Sequence, residues 1–260
     1  MSKKVTHYAH FTTLEALKLM LDSKEDESKL DYKGNDHTLH FRATIYNQMN
    51  DGNECLILRN KYFTESKKKT ERQNDFYNWL KMNGEPFIIS FIDANVSNSA
   101  KGISKNVPMW QAYGSNGKGI ILVFEFDDKI DFNGWKLIKC EYLSMTDADN
   151  KIIELNKQND IENKDLNELF IKTKGKEWEH EKEWRLYKNC KLEEISTYAK
   201  TPHRIIACSY FNIPFENLKR IIIGNQLDNE VTKNDITHLF QKTGYNGQIL
   251  IEHSNLNLRD

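Results

Sequence analysis

Residues 177–187 read EWEHEKEWRLY, and the way this stretch folds decides what the chain can do. The run HEKEW (180–184) opens like the zinc-protease signature H-E-x-x-H, but Trp184 stands where the second histidine belongs. As a helix, its two tryptophans and four glutamates scatter around the axis with no apolar stripe. As a strand it alternates. Trp178, His180, Lys182, Trp184 and Leu186 fall on one side, and Glu179, Glu181, Glu183, Arg185 and Tyr187 on the other. We therefore expect a strand over 181–188, which removes the helical spacing that a zinc site needs. Glu181 and Glu183 would then share a face, roughly 6.5–7 Å apart by strand rise. Their repulsion is expected to raise one of the two pKa values, with Arg185 supplying an offsetting charge. That face reads equally as an edge strand guarded by charge or as the working edge of an active site.

The 260 residues around this stretch are enough to bury a sizeable core, and apolar clusters recur along the whole length. The formal net charge of −1 leaves no global positive field for nucleic acid. The one compact basic run, SKKKTER (66–72), reads as the solvated face of a helix. Cys55, Cys140, Cys190 and Cys208 show no C-x-x-C spacing and no metal-type histidine flanks. They are expected to be free buried thiols of a reducing compartment. The first residues, MSKKVTHYAHFTT, carry no hydrophobic leader, and no run approaches ~18 apolar residues. A cytoplasmic protein with no membrane partner is the expectation.

With no repeat and no Pro/Gly/Ser linker, residues 1–260 read as a single domain. Tyr8–Phe11 reads as a short strand and residues 12–24 as a helix, with Thr12 and Glu15 as a capping box. Strands are expected at 37–44, 86–92, 117–126, 135–144, 203–209, 218–223 and 247–252. Helices are expected at 54–82, 147–173 and 231–243, with a helical turn at 107–114. Strands and helices interleave without regular βαβ alternation, which favours an α+β class over a doubly wound sheet.

Other residues are placed where a ligand site would want them. His10 ends a strand before a helix whose N-cap is Thr12 or Thr13, a junction that aims a side chain at a cleft and attracts phosphate. Trp110 and Tyr113 are three residues apart in a helical turn, beside the long polar loop 93–106. They read either as core or as a platform for a ligand ring. Ser90 and Ser104 are hydroxyl candidates, but no G-x-S-x-G motif supports a hydrolase triad. Asn50, Asp51 and Glu54 cluster before a helix and are accounted for by turn chemistry. No P-loop and no G-x-G-x-x-G is present.

Taken in order, HFTTLEALKLML, MNDGNE, ISFID, MWQAYGSNGKGIILVF, WEHEKEWRL and LKRIIIGNQL resemble the bacterial family called domain of unknown function 2971, over most of residues 7–225. Gly52 and Ile92 depart from that family's pattern. The same order of a His-x-Thr strand, an aromatic turn and a Glu-bearing strand is similar to the ADP-ribosyltransferase superfamily. The resemblance implies a single domain whose mixed or antiparallel β core is split into two small sheets with flanking helices. It implies NAD as the substrate and no metal, with His10 and Thr12 at the ribose and Tyr113 stacked on nicotinamide. Ser90, Trp110 and Arg185 complete the NAD pocket in this reading, with Glu183 as the catalytic carboxylate and Glu181 as its E-x-E partner. A carboxylate there would stabilise the oxocarbenium-like charge formed as the N-glycosidic bond breaks. A toxin or anti-phage effector is implied, with a protein or nucleic-acid acceptor and an antitoxin or defence partner left open. Two other classes stand beside it: a non-catalytic binding module on the same fold, and a nuclease that uses the glutamates with a divalent metal.

Overall fold

A computed structural model describes residues 5–21, 37–48, 57–65, 69–94, 100–127, 134–158, 161–201, 204–254 and 256. Cys55 and the cluster Asn50, Asp51 and Glu54 lie outside the described residues. So do residues 66–68 of the basic run and 95–99 of the polar loop.

The fold is mixed α/β, one open ten-stranded sheet with flanking helices. A separate two-stranded parallel pair accompanies it, so the expected division into two small sheets is met only in part. The backbone divides into two compact units, each assembled from discontinuous segments.

Unit 1 comprises 1–41, 91–130 and 210–260. Its centre is an eight-residue antiparallel ladder between β1 (Val5–Thr12) and β4 (Ile120–Asp127), running from Val5 opposite Asp127 to Thr12 opposite Ile120. β11 (Leu218–Ile223) lies antiparallel to β4, and β12 (Leu250–His253) pairs parallel with β11. The run IILVF in β4 is apolar on both faces and buried throughout, as a central strand requires. α1 (Leu14–Leu21) follows β1 directly, and its cap is Thr13, whose Oγ1 accepts the Ala16 N–H at 3.1 Å. Thr12 is the last residue of β1 and so is not available as the cap. α4 (Ala100–Ile103), α5 (Val107–Ala112) and α8 (Asn229–Lys242) complete the unit.

Unit 2 comprises 42–90 and 131–209. α2 (Ile57–Glu65), α3 (Lys69–Asn83), α6 (Met145–Lys157) and α7 (Asn163–Lys172) pack through one apolar cluster. Leu166, Leu169 and Phe170 at i, i+3 and i+4 form the inward stripe of α7, as Ala148, Ile152 and Leu155 do for α6. The single helix expected over 147–173 is thus two. Ser144 and Asp147 cap the first through a reciprocal box, and Gln158 ends it in extended backbone. The strand expected at 135–144 also divides, into β5 (Lys136–Lys139) and β6 (Glu141–Leu143). β5 pairs antiparallel with β8 (Glu183–Cys190), while β6 pairs parallel with β7 (Thr173–Gly175). β2 (Thr38–Ile45), β3 (Glu85–Asp93) and β10 (Arg204–Pro214) each contribute to both units, and β9 (Ser196–Thr201) pairs with β10.

Candidate functional site

The strand expected at 181–188 begins at Glu183 instead. Residues Lys176–Glu181 form a 3-10 turn, and Lys182 closes it in the left-handed conformation, φ 48°. From Glu183 the alternation holds, so Glu183, Arg185 and Tyr187 share one face of β8. Glu181 reaches the same place by another route, at the end of the turn. Both carboxylates are buried, and Arg185 is fully enclosed.

What holds them is a cation absent from the sequence reading. Lys174 Nζ, on the three-residue β7, donates to Glu181 Oε2 at 2.5 Å and to Glu183 Oε2 at 2.8 Å. Arg185 donates from Nε to Glu183 Oε1 at 3.0 Å and from Nη2 to Oε2 at 3.2 Å, while its Nη1 bonds the Ile171 carbonyl. The Ser90 hydroxyl donates to Glu183 Oε1 at 2.6 Å. Two positive and two negative side chains thus form a formally neutral cluster. The backbone of Glu183 is pinned as well. Its N–H donates to Tyr142 Oη at 2.6 Å, and its carbonyl accepts the Cys140 N–H at 2.9 Å. Tyr142 sits opposite Lys174 in the β6–β7 pair, so one short ladder positions two partners of Glu183.

The electrostatics of Glu183 are set by the cations around it. Burial acts to raise its pKa, but the Arg185 and Lys174 charges and their hydrogen bonds outweigh it and bring the carboxyl down to about 2. Repulsion between carboxylates is overridden because a cation stands between them. Burial pushes the Tyr142 phenol well above its ordinary range, so it remains a neutral hydroxyl.

The remaining sequence candidates belong to unit 1. His10 lies within β1, its ring edge-on to Phe41 with centroids 5.1 Å apart and 5.8 Å from Phe91. Thr12 is buried at the strand end. Trp110 is fully enclosed, edge-on to Phe11 at 5.2 Å, and its Nε1 donates to the Ser104 carbonyl at 2.9 Å. It fills core, while Tyr113 ends α5 half-buried against the same cluster. The structure therefore brings Ser90, Glu181, Glu183 and Arg185 together in unit 2, and places His10, Thr12, Trp110 and Tyr113 in unit 1. Lys174, Tyr142 and Trp178 were missed. One signal pointed to a lysine: two buried glutamates need two cations, and Arg185 is one. Nothing in the sequence distinguishes Lys174 from its exposed or half-buried neighbours Lys172, Lys176 and Lys182.

The part of the site that lies between Tyr142 and Arg185 falls within a family match. Residues 109–186 match the model described as protein of unknown function (DUF2971). The DUF2971 match takes in most of α5, β4, Lys174 and the first residues of β8, and so supports the kinship suggested by the W-x-x-E-x-E-W-R element. No curated protein and no solved structure matches the chain. No helix among the described residues is long and apolar enough to cross a membrane. Among them, Cys140, Cys190 and Cys208 are buried and form no disulfide.

Proposed function

We propose that the chain is an NAD-consuming enzyme of the ADP-ribosyltransferase type, transferase or glycohydrolase, with Glu183 as the carboxylate that faces the reacting ribose. The observation that supports this is the Ser90 hydroxyl on Glu183 Oε1 at 2.6 Å, made to a carboxylate that Arg185 and Lys174 keep ionised. A ribose hydroxyl would use the same acceptor in place of Ser90. The fixed negative charge, shielded from water, would oppose the positive charge that develops as the glycosidic bond breaks. Glu181 holds Lys174 and so steadies the second oxygen. NAD as the substrate and the toxin or defence setting rest on the family resemblance, which also implies NAD contacts for His10, Thr12 and Tyr113; Trp110, fully enclosed in the core, makes none.

A second reading is favoured by one feature. Glu183 is only 2% exposed, and contacts from Ser90, Lys174 and Arg185 take up its roughly four lone-pair sites. Such a cluster also suits a binding module whose ions do nothing but hold the fold. The nuclease reading has less behind it, because both glutamates are committed to cations of the chain, and among the described residues no group of three or more His, Cys, Asp and Glu side chains could hold a metal.

The deciding experiment incubates the protein with adenine-labelled NAD and a cell lysate, and reads nicotinamide release and label transfer. Wild type should release nicotinamide with or without a chelator, and Glu183→Gln should lose about 10²–10³-fold of that rate. Removing one charge unbalances the cluster, so the charge-balanced double variant Glu183→Gln/Lys174→Met is run beside it. No release by wild type, at a level the variants share, would sink the enzymatic reading.

A further inference from the structure

We infer that the turn Lys176–Glu181 is a lid over the Glu183 carboxylate, latched by Lys174 and hinged at Lys182. The inference rests on Glu183 being the reacting carboxylate, and it answers how a substrate would reach a group so deeply enclosed.

The turn is exposed along most of its length: Lys176, Glu177, Glu179 and His180 are all solvent-facing, and the Lys176–Glu179 ion pair lies in water. It is anchored inward at two points. Glu181 Oε2 accepts from Lys174 Nζ, and the half-buried Trp178 indole lies over the same ammonium, 5.4 Å from ring centroid to Nζ. Both anchors therefore converge on one atom, which in turn holds Glu183 Oε2. The joint between lid and strand is Lys182, a β-carbon-bearing residue at φ 48°, where L side chains are disfavoured. Beyond it, Glu183 is fixed by Tyr142 and the Cys140 N–H, so the strand has no comparable freedom. Lifting the turn would remove Glu181 and Trp178 from Lys174, free the ammonium to follow or to rotate, and open the Lys174 side of Glu183 Oε2 while Arg185 keeps its bonds to both oxygens. The closed state is held by a shared cation and opposed by backbone strain, which is what a bistable element requires.

The test is hydrogen–deuterium exchange on the full chain, following amides 176–182 and those of β8 separately, with nicotinamide release measured on the same samples. Glu181→Gln should speed exchange of the turn by about tenfold while β8 keeps its protection. Trp178→Ala, which leaves the cluster's charges balanced, should do the same more weakly. Lys182→Gly removes the left-handed penalty of the closed joint and should slow turn exchange by about threefold. Turn and β8 opening together in Glu181→Gln, or no change in any variant, would overturn the lid. If the turn behaves as stated but neither wild type nor variants release nicotinamide, the lid stands and the enzymatic reading falls.

Discussion

At the scale of single residues, Glu183 ties stability to pH. Its carboxyl sits at about 2 in the folded chain against an ordinary 4.5, so its contribution is complete above about pH 4.5 and fades as pH falls through about 2. That difference corresponds to about 3 kcal/mol, lost as acid protonates the group. Urea melts of wild type between pH 6 and 2.5 should show a decline of that order, and Ser90→Ala should keep the same shape with a small offset. Glu183→Gln should cost roughly 3–5 kcal/mol at pH 7, because Lys174 and Arg185 then face Glu181 alone. Glu183→Gln/Lys174→Met should recover part of that loss. Equal stability of the single and double variants would mean that the four groups do not act as one cluster.

The same residues mark how far the sequence could be read. Glu183 and Arg185 were legible as face-sharing neighbours because alternation from 183 onward includes Leu186, which has one place to go. Glu181 was placed on the wrong element. In residues 177–182 Trp178 is the one apolar residue of the alternation, so no apolar face fixes a register and a 3-10 turn fits the letters as well as a strand. Lys174 stands one residue past the helix expected at 147–173, and its partners lie seven and nine residues on through a turn that no local pattern announces.

At the scale of elements, the junctions are decided by backbone geometry. Gly84 follows α3 at φ +92°, bonded to the Leu80 carbonyl at 2.7 Å, and a β-carbon there would stand 2.5 Å from the carbonyl of Cys190. Gly84→Ala should destabilise by more than about 2 kcal/mol, since both the dihedral and the close approach to the end of β8 forbid a side chain. Gly224 has a similar role in unit 1, where its absent β-carbon would meet the Gly117 carbonyl at 2.1 Å. Thermal melts check both, and an unchanged midpoint for Gly84→Ala would contradict the α3–β8 contact. Strands β4 and β11 were readable because each carries a buried apolar run, IILVF and III. The split of 147–173 was not, because charged residues on both sides of the break continue the helical composition and only the cap geometry at Ser144 and Gln158 shows where α6 starts and stops.

At the scale of the whole molecule, two discontinuous units are not legible in the letters, since no linker separates them and three strands belong to both. Contacts far apart in sequence made that division, and periodicity carries no information about them. The segment matched by the family model, 109–186, draws on both units. Expressed alone, it should show no cooperative unfolding transition, in contrast to the full chain, and calorimetry of the two would decide the point.

The Ser104 carbonyl makes the reason concrete. That one oxygen accepts Trp110 Nε1 and Ser254 Oγ, each at 2.9 Å, and Leu256 packs in the same cluster as the indole. A tryptophan that helps to define the family signature is therefore finished by residues on either side of the signature, one of them near the far end of the chain. The matched segment thus leans on residues outside it, and a fusion or cut near residue 254 would reach α5 as surely as a substitution within it.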